Sequence, residues 1–166
     1  KRLGTLHLNG WQHPSPEALQ ALAAYRGTLS LGAWVPPKDG ASEHWKALAT
    51  EARDGLSLGA ITSLSEANAQ ALSKLQLKRL YLPGVTSLDT HLVEHLGSMV
   101  LLALVLDRVE HATAQQIRRL VQVQHKDSST SGLSMARLKL TPEVRAELTR
   151  HKKLLDPLHE RVYEDG

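Results

Sequence analysis

At 166 residues, with 42% apolar and 22% charged positions, the chain can bury one sizeable core and is too apolar to stay disordered. It has no cysteine, which excludes disulfides and thiolate zinc sites, and its longest apolar run, Met99–Leu106, is too short to span a bilayer. The net charge of +3 is uneven: between Arg118 and Lys153 nine Lys or Arg stand against Asp127, Glu143 and Glu147. Leucine and alanine dominate the apolar residues and phenylalanine is absent, which suits thin stacked layers better than one large globular centre. No secretory leader is visible, so a cytoplasmic location is expected, with no membrane partner.

The first element is a Leu-x-Leu pair at Leu6/Leu8. Period two puts both side chains on one face of a short strand. Trp11 follows, and Ser15-Pro16-Glu17 reads as a helix start: a capping hydroxyl, Pro at the first helical position and an acid in the first turn. Leu19 and Leu22 give that helix an inward stripe. The same signals recur. Leu29/Leu31 and Trp34 form a second strand and turn, and three extra residues within Pro36–Trp45 push its inward helical leucine to Leu48. Trp34 and Trp45, which flank the insertion, are expected to fill the core. Leu56/Leu58, Ile61, Ser65 and Ala69/Leu72 make a third unit. Leu80/Leu82, Val85, Asp89 and Val93/Leu96 make a fourth. Leu104/Leu106, Val109, Thr113 and Ile117/Leu120 make a fifth, with Thr113-x-x-Gln116 as a capping box. Successive pairs lie 23, 27, 24 and 24 residues apart. The Ser/Thr-rich run at 125–132 reads as a loop. The next Leu-x-Leu is Leu138/Leu140, and Thr141-Pro142-Glu143 opens a last helix expected to reach about Lys153. The plan is therefore 1–124 as five repeats, 125–132 as a loop, and 133–166 as a degenerate sixth repeat and C-terminal cap.

A strand, a turn and a helix in about 24 residues cannot bury their apolar faces alone; stacked in register, they share one continuous core. The constant offset from strand leucine to helix leucine favours such stacking over a doubly wound α/β sheet. The stretch LSLGAITSLSEANAQALSK at Leu56–Lys74, with looser matches at Leu80–Leu96 and Leu6–Leu22, resembles a leucine-rich-repeat-like β/α repeat of bacterial, planctomycete-type proteins. The resemblance covers Leu3–Gln124. It implies an α/β fold, a right-handed β/α solenoid with parallel strands on the concave face and helices on the convex face, and it says almost nothing of activity. The pattern departs from standard leucine-rich repeats where Asn usually ladders buried backbone groups. Trp11, Trp34, Ile61, Val85 and Val109 stand there, so the turn must satisfy its backbone differently. With no capping unit ahead of Leu6, further chain of the same protein or a partner is expected to cover that end.

Strand residues pointing away from the core are the first candidates for binding. His7 lies in the first unit. Arg79, Tyr81, Val105 and Asp107 lie in neighbouring later units, and Tyr and Arg are over-represented among interface hot spots. A second candidate is a basic patch of Arg118, Arg119, Arg137, Lys139 and Arg145, which could meet nucleic-acid phosphates, although no reader motif or interleaved aromatics accompany it. A third is His91-Leu92-Val93-Glu94-His95, which spells the H-x-x-E-H zinc signature; His91 and His95 would be one helical turn apart with Glu94 as base. These residues fall at ordinary helix-surface positions of the repeat, so no metal and no other cofactor is expected. The reading is a non-enzymatic protein–protein interaction module, an adaptor or sensor region of a larger bacterial protein or complex. Nucleic-acid binding through the basic unit and metal-dependent hydrolysis are the alternatives.

Overall fold

The computed structural model describes residues 4–37, 42–49, 52–124 and 132–151. Strands β1 (Thr5–His7), β2 (Thr28–Ser30), β3 (Arg53–Ser57), β4 (Leu77–Tyr81), β5 (Ala103–Val105) and β6 (Gly132–Ser134) alternate with helices. These are α1 (Pro16–Ala21), α2 (Ser42–Leu48), α3 (Glu66–Ser73), α4 (Thr90–Leu96), α5 (Ala114–Gln124) and α6 (Pro142–Arg150). All six strands form one parallel sheet in sequence order, and each helix packs on the helices before and after it. The protein is thus an α/β structure built from a repeated strand, turn and helix. Among the described residues no helix is long and apolar enough to cross a membrane.

The register follows the leucines. Leu6, Leu29, Leu56, Leu80, Leu104 and Leu133 are aligned across the sheet. From the second unit onward these leucines are almost wholly buried, whereas Leu6, Leu8 and Trp11 of the first unit are only partly buried. The second residue of each Leu-x-Leu pair extends the ladder: the N–H groups of Leu8, Leu31, Leu58, Leu82 and Leu106 donate to Ser30, Ser57, Tyr81, Val105 and Ser134. Its carbonyl then closes the turn. The N–H groups of Trp11, Trp34, Val85, Val109 and Leu138 donate back three residues to Leu8, Leu31, Leu82, Leu106 and Met135, at 3.1–3.3 Å. This tight turn leaves the inward side chain free to be large and apolar, which is how the chain dispenses with an Asn ladder. Stacked turns come close enough that a Cβ on Gly84 would collide with the carbonyls of Gly59 and Ile61.

The expected caps are in place. Ser15, Ser65 and Asp89 accept from Ala18, Asn68 and Leu92 N–H at 3.2, 3.4 and 2.6 Å. Thr113 and Gln116 form the reciprocal box at 2.8 and 3.2 Å, and Thr141 caps α6. Trp34 and Trp45 are buried together with ring centroids 5.2 Å apart, as expected of core fillers. The Trp45 indole N–H donates to Asn68, whose amide donates to Pro37 O, so the insertion is tied to the third unit.

The sixth strand corrects the sequence reading. It is Gly132–Ser134, not Leu138-x-Leu140. Leu133 pairs with Leu104, Met135 takes the role of the second leucine, and Leu138 takes the inward turn position. A strand at 138–140 would leave no residues for the turn before the Thr141 cap. Residue 132 accordingly belongs to the strand, and the rest of the expected loop lies outside the described residues; the last helix ends at Arg150 with His151 as its C-cap, short of the expected Lys153.

Candidate functional site

Parallel pairing turns the strand residues facing away from the core into continuous rows. One row runs His7, Ser30, Ser57, Tyr81, Val105, Ser134. The row beside it runs Thr5, Thr28, Gly55, Arg79, Ala103, Gly132. Tyr81 and Val105 are therefore direct neighbours, with Arg79 two residues back along β4. All three are partly exposed, and among the described residues neither the Arg79 guanidinium nor the Tyr81 hydroxyl has a bonded partner. The neighbouring strands carry small residues in these rows, Thr28 and Ser30 on β2 and Gly55 and Ser57 on β3. His7 sits three strands away, exposed at the β1 edge, and does not join them.

Asp107 is partly exposed as well, but its carboxylate is engaged within the fold. Its Oδ1 accepts from the Ser134 hydroxyl at 2.5 Å and from Ala136 N–H at 3.4 Å, clipping the fifth unit to the sixth. Asn9, at the same repeat position, does the same for the first two units: its Oδ1 takes the Ser30 hydroxyl at 2.7 Å and Gly32 N–H at 3.2 Å. These clips were missed in the sequence. The available signal was an acceptor just after one Leu-x-Leu pair and a Ser inside the next.

The basic residues are partly neutralised within the protein. Arg118 forks onto Glu147 of α6 at 3.0 and 2.9 Å, and Glu147 also takes Arg150 and His151, each at 3.2 Å. Hydrogen bonds from Arg118, with His151 and the charge of Arg150 adding to them, hold the Glu147 carboxyl down at about 2. Lys139 bonds Glu110 at 3.1 Å and holds that carboxyl below its usual range, with Arg137 adding to the field. The Arg119 stem packs beside Gly97, and the Arg145 carbonyl accepts from Thr149. All five positions are exposed, and two of them, Arg118 and Lys139, have their charged groups paired with carboxylates.

On α4, His91 faces Glu66 of α3 at 3.8 Å, while Glu94 is exposed and His95 half-buried. Among the described residues no three His, Asp or Glu side chains converge as a metal site. The chain matches no known protein-family model and no curated protein.

Proposed function

We propose that the six units stack as a short right-handed, leucine-rich-repeat-like solenoid of the bacterial, planctomycete-type kind, and that its concave sheet face recognises another protein. The observation that carries this reading is the adjacency of the Tyr81 and Val105 side chains beside that of Arg79, all three partly exposed. An aromatic ring, an apolar branch and a guanidinium on neighbouring rigid strands supply apolar area and directional donors at little entropic cost. The module works without a cofactor or a reaction of its own, as an adaptor or sensor region in the cytoplasm. The internal pairing of Arg118 and Lys139 weighs against nucleic acid as the ligand, because phosphate contacts need cations not already engaged.

The test is affinity capture from the source lysate with wild-type protein and the Arg79→Ala/Tyr81→Ala double variant as parallel baits, at low and high salt, with and without nuclease. A defined protein held by the wild type through nuclease and high salt, and lost from the double variant at unchanged melting temperature, is the expected result. Capture by both baits alike would remove the sheet face. Capture abolished by nuclease would replace the protein partner with nucleic acid.

A further inference from the structure

The chain has two asparagines, Asn9 and Asn68, in opposite surroundings. Asn68 is buried in α3, precedes Ala69 and uses both ends of its amide: it accepts from Trp45 Nε1 at 2.8 Å and donates to Pro37 O at 3.3 Å. Asn9 is exposed in the first turn and precedes Gly10, which is exposed too. Trp11 N–H closes that turn on Leu8 O at 3.1 Å, so Asn9 and Gly10 are its two central residues. Among the described residues Asn9 engages only its amide oxygen, in the clip to Ser30 and Gly32. Its Nδ2 and the Gly10 N–H have no bonded partner among them.

These groups are the parts of an intramolecular acyl transfer. The Gly10 nitrogen is the nucleophile, and Cγ of Asn9 is the carbonyl it can reach. A five-membered ring closes between them, and a residue without a Cβ crowds that approach least. As the nitrogen adds, negative charge builds on Oδ1, where the Ser30 hydroxyl at 2.7 Å and Gly32 N–H at 3.2 Å already donate. The bond from Gly10 N to Cγ forms and the bond from Cγ to Nδ2 breaks. The proton lost from Gly10 N is carried by water to Nδ2, which departs as ammonia. A second water opens the cyclic imide at either of its carbonyls. Breaking the new bond leaves aspartate. Breaking the original peptide bond leaves isoaspartate, with the chain running through Cγ.

We propose that Asn9 is a self-modification site, converting to aspartate and isoaspartate with water as the only co-reactant, and that the two products act oppositely on the first unit. Asp107 stands at the same repeat position as Asn9 and makes the same clip, to the Ser134 hydroxyl and Ala136 N–H. Aspartate at position 9 therefore keeps the clip and adds a negative charge at the end of the sheet face. Isoaspartate instead draws Cβ into the main chain and lengthens the link from Leu8 to Gly10 by one atom. The turn bond from Trp11 to Leu8 and the reach to Ser30 are both lost. β1 is an edge strand, and Leu6, Leu8 and Trp11 are only partly buried, so the first unit has little else to hold it. The site does not depend on the reading of the sheet face around Tyr81.

The experiment holds the protein in mildly alkaline buffer at physiological temperature and follows the peptides carrying residues 9 and 68 by mass spectrometry. The expected result is a gain of one mass unit at residue 9 and none at residue 68 over the same interval. The modified peptide should separate into two chromatographic forms, one of them co-eluting with the peptide from Asn9→Asp. Gly10→Ala is the control: a Cβ there meets nothing within 4 Å, so the fold accepts it, and the variant is expected to lose most of the mass gain. Hydrogen exchange then separates the products. Asn9→Asp should protect the Leu8 and Trp11 amides as the fresh wild type does, whereas the isoaspartate fraction of aged protein exchanges faster at both. An unmodified residue 9, or an equal gain in Gly10→Ala, would overturn the site. Equal protection in the two products would overturn their opposed effects.

Discussion

Arg53 and Glu147 are equally hidden, each 3% exposed, yet their surroundings are opposite. Glu147 near the C-terminal end of α6 is closed over by Arg118, Arg150 and His151, which satisfy both its oxygens. Its shielding comes from these partners rather than from depth. Arg53, at the start of β3, is shielded by the apolar core itself, and among the described residues its guanidinium makes one bond, to Leu48 O. Burial alone therefore does not say how a charge is held in this molecule. The difference lies in whether the charge is answered. The Glu147 cluster reads as a clamp that docks α6 on α5 across 29 residues of sequence. Among the described residues the charge of Arg53 is left unanswered.

The contrast can be broken most forcefully at the clamp. Glu147→Gln keeps the shape but leaves Arg118, Arg150 and His151 around a neutral amide. Among substitutions at the charges compared here it is expected to lower the melting temperature most, with faster hydrogen exchange along α6. Acid offers a gentler version of the same change. The folded Glu147 carboxyl sits at about 2, below its ordinary 4.5, so the folded state binds fewer protons there than the unfolded chain does. Its stabilisation is complete above the ordinary value and is lost as pH falls through about 2. Glu17, Glu110 and Glu143 are lowered too and act in the same direction. Melting temperatures recorded down this range should fall less steeply in Glu147→Gln than in wild type. Parallel slopes would mean that the clamp contributes nothing.

Much of the fold was legible because its signals are local and repeated. Period-two leucines, a cap seven residues on, and an inward helical stripe each arise within one unit, and Ser15, Ser65, Asp89 and Thr113 all proved to cap helices. The sixth strand was hidden because Met135 replaces a leucine and the step from Leu104 to Leu133 is lengthened to 29 residues. What escaped entirely was the relation between units. A count of charges from Arg118 to Lys153 suggested a basic face, whereas Glu147 engages two of those cations, Arg118 and Arg150, together with His151. Asp107 appeared as an outward strand residue and turned out to be a clip, because its acceptor role depends on a Ser in the next unit. Arg53 carried its own signal, a charge at a position held by Leu77 and Leu101, but that position is recognised as inward only once the strands are aligned.

The distinction between an answered and an unanswered buried charge is tested most directly by melting Arg53→Leu beside wild type and Glu147→Gln at neutral pH. Arg53→Leu removes an unsatisfied group and fills its space with the residue found at the same position in neighbouring units. It should melt at or slightly above the wild type, a gain of roughly 1 kcal/mol, while Glu147→Gln melts below it. A fall for Arg53→Leu comparable to that for Glu147→Gln would contradict the account, and would make Arg53 a structural cap of α2 in the same sense that Glu147 is a clamp of α6.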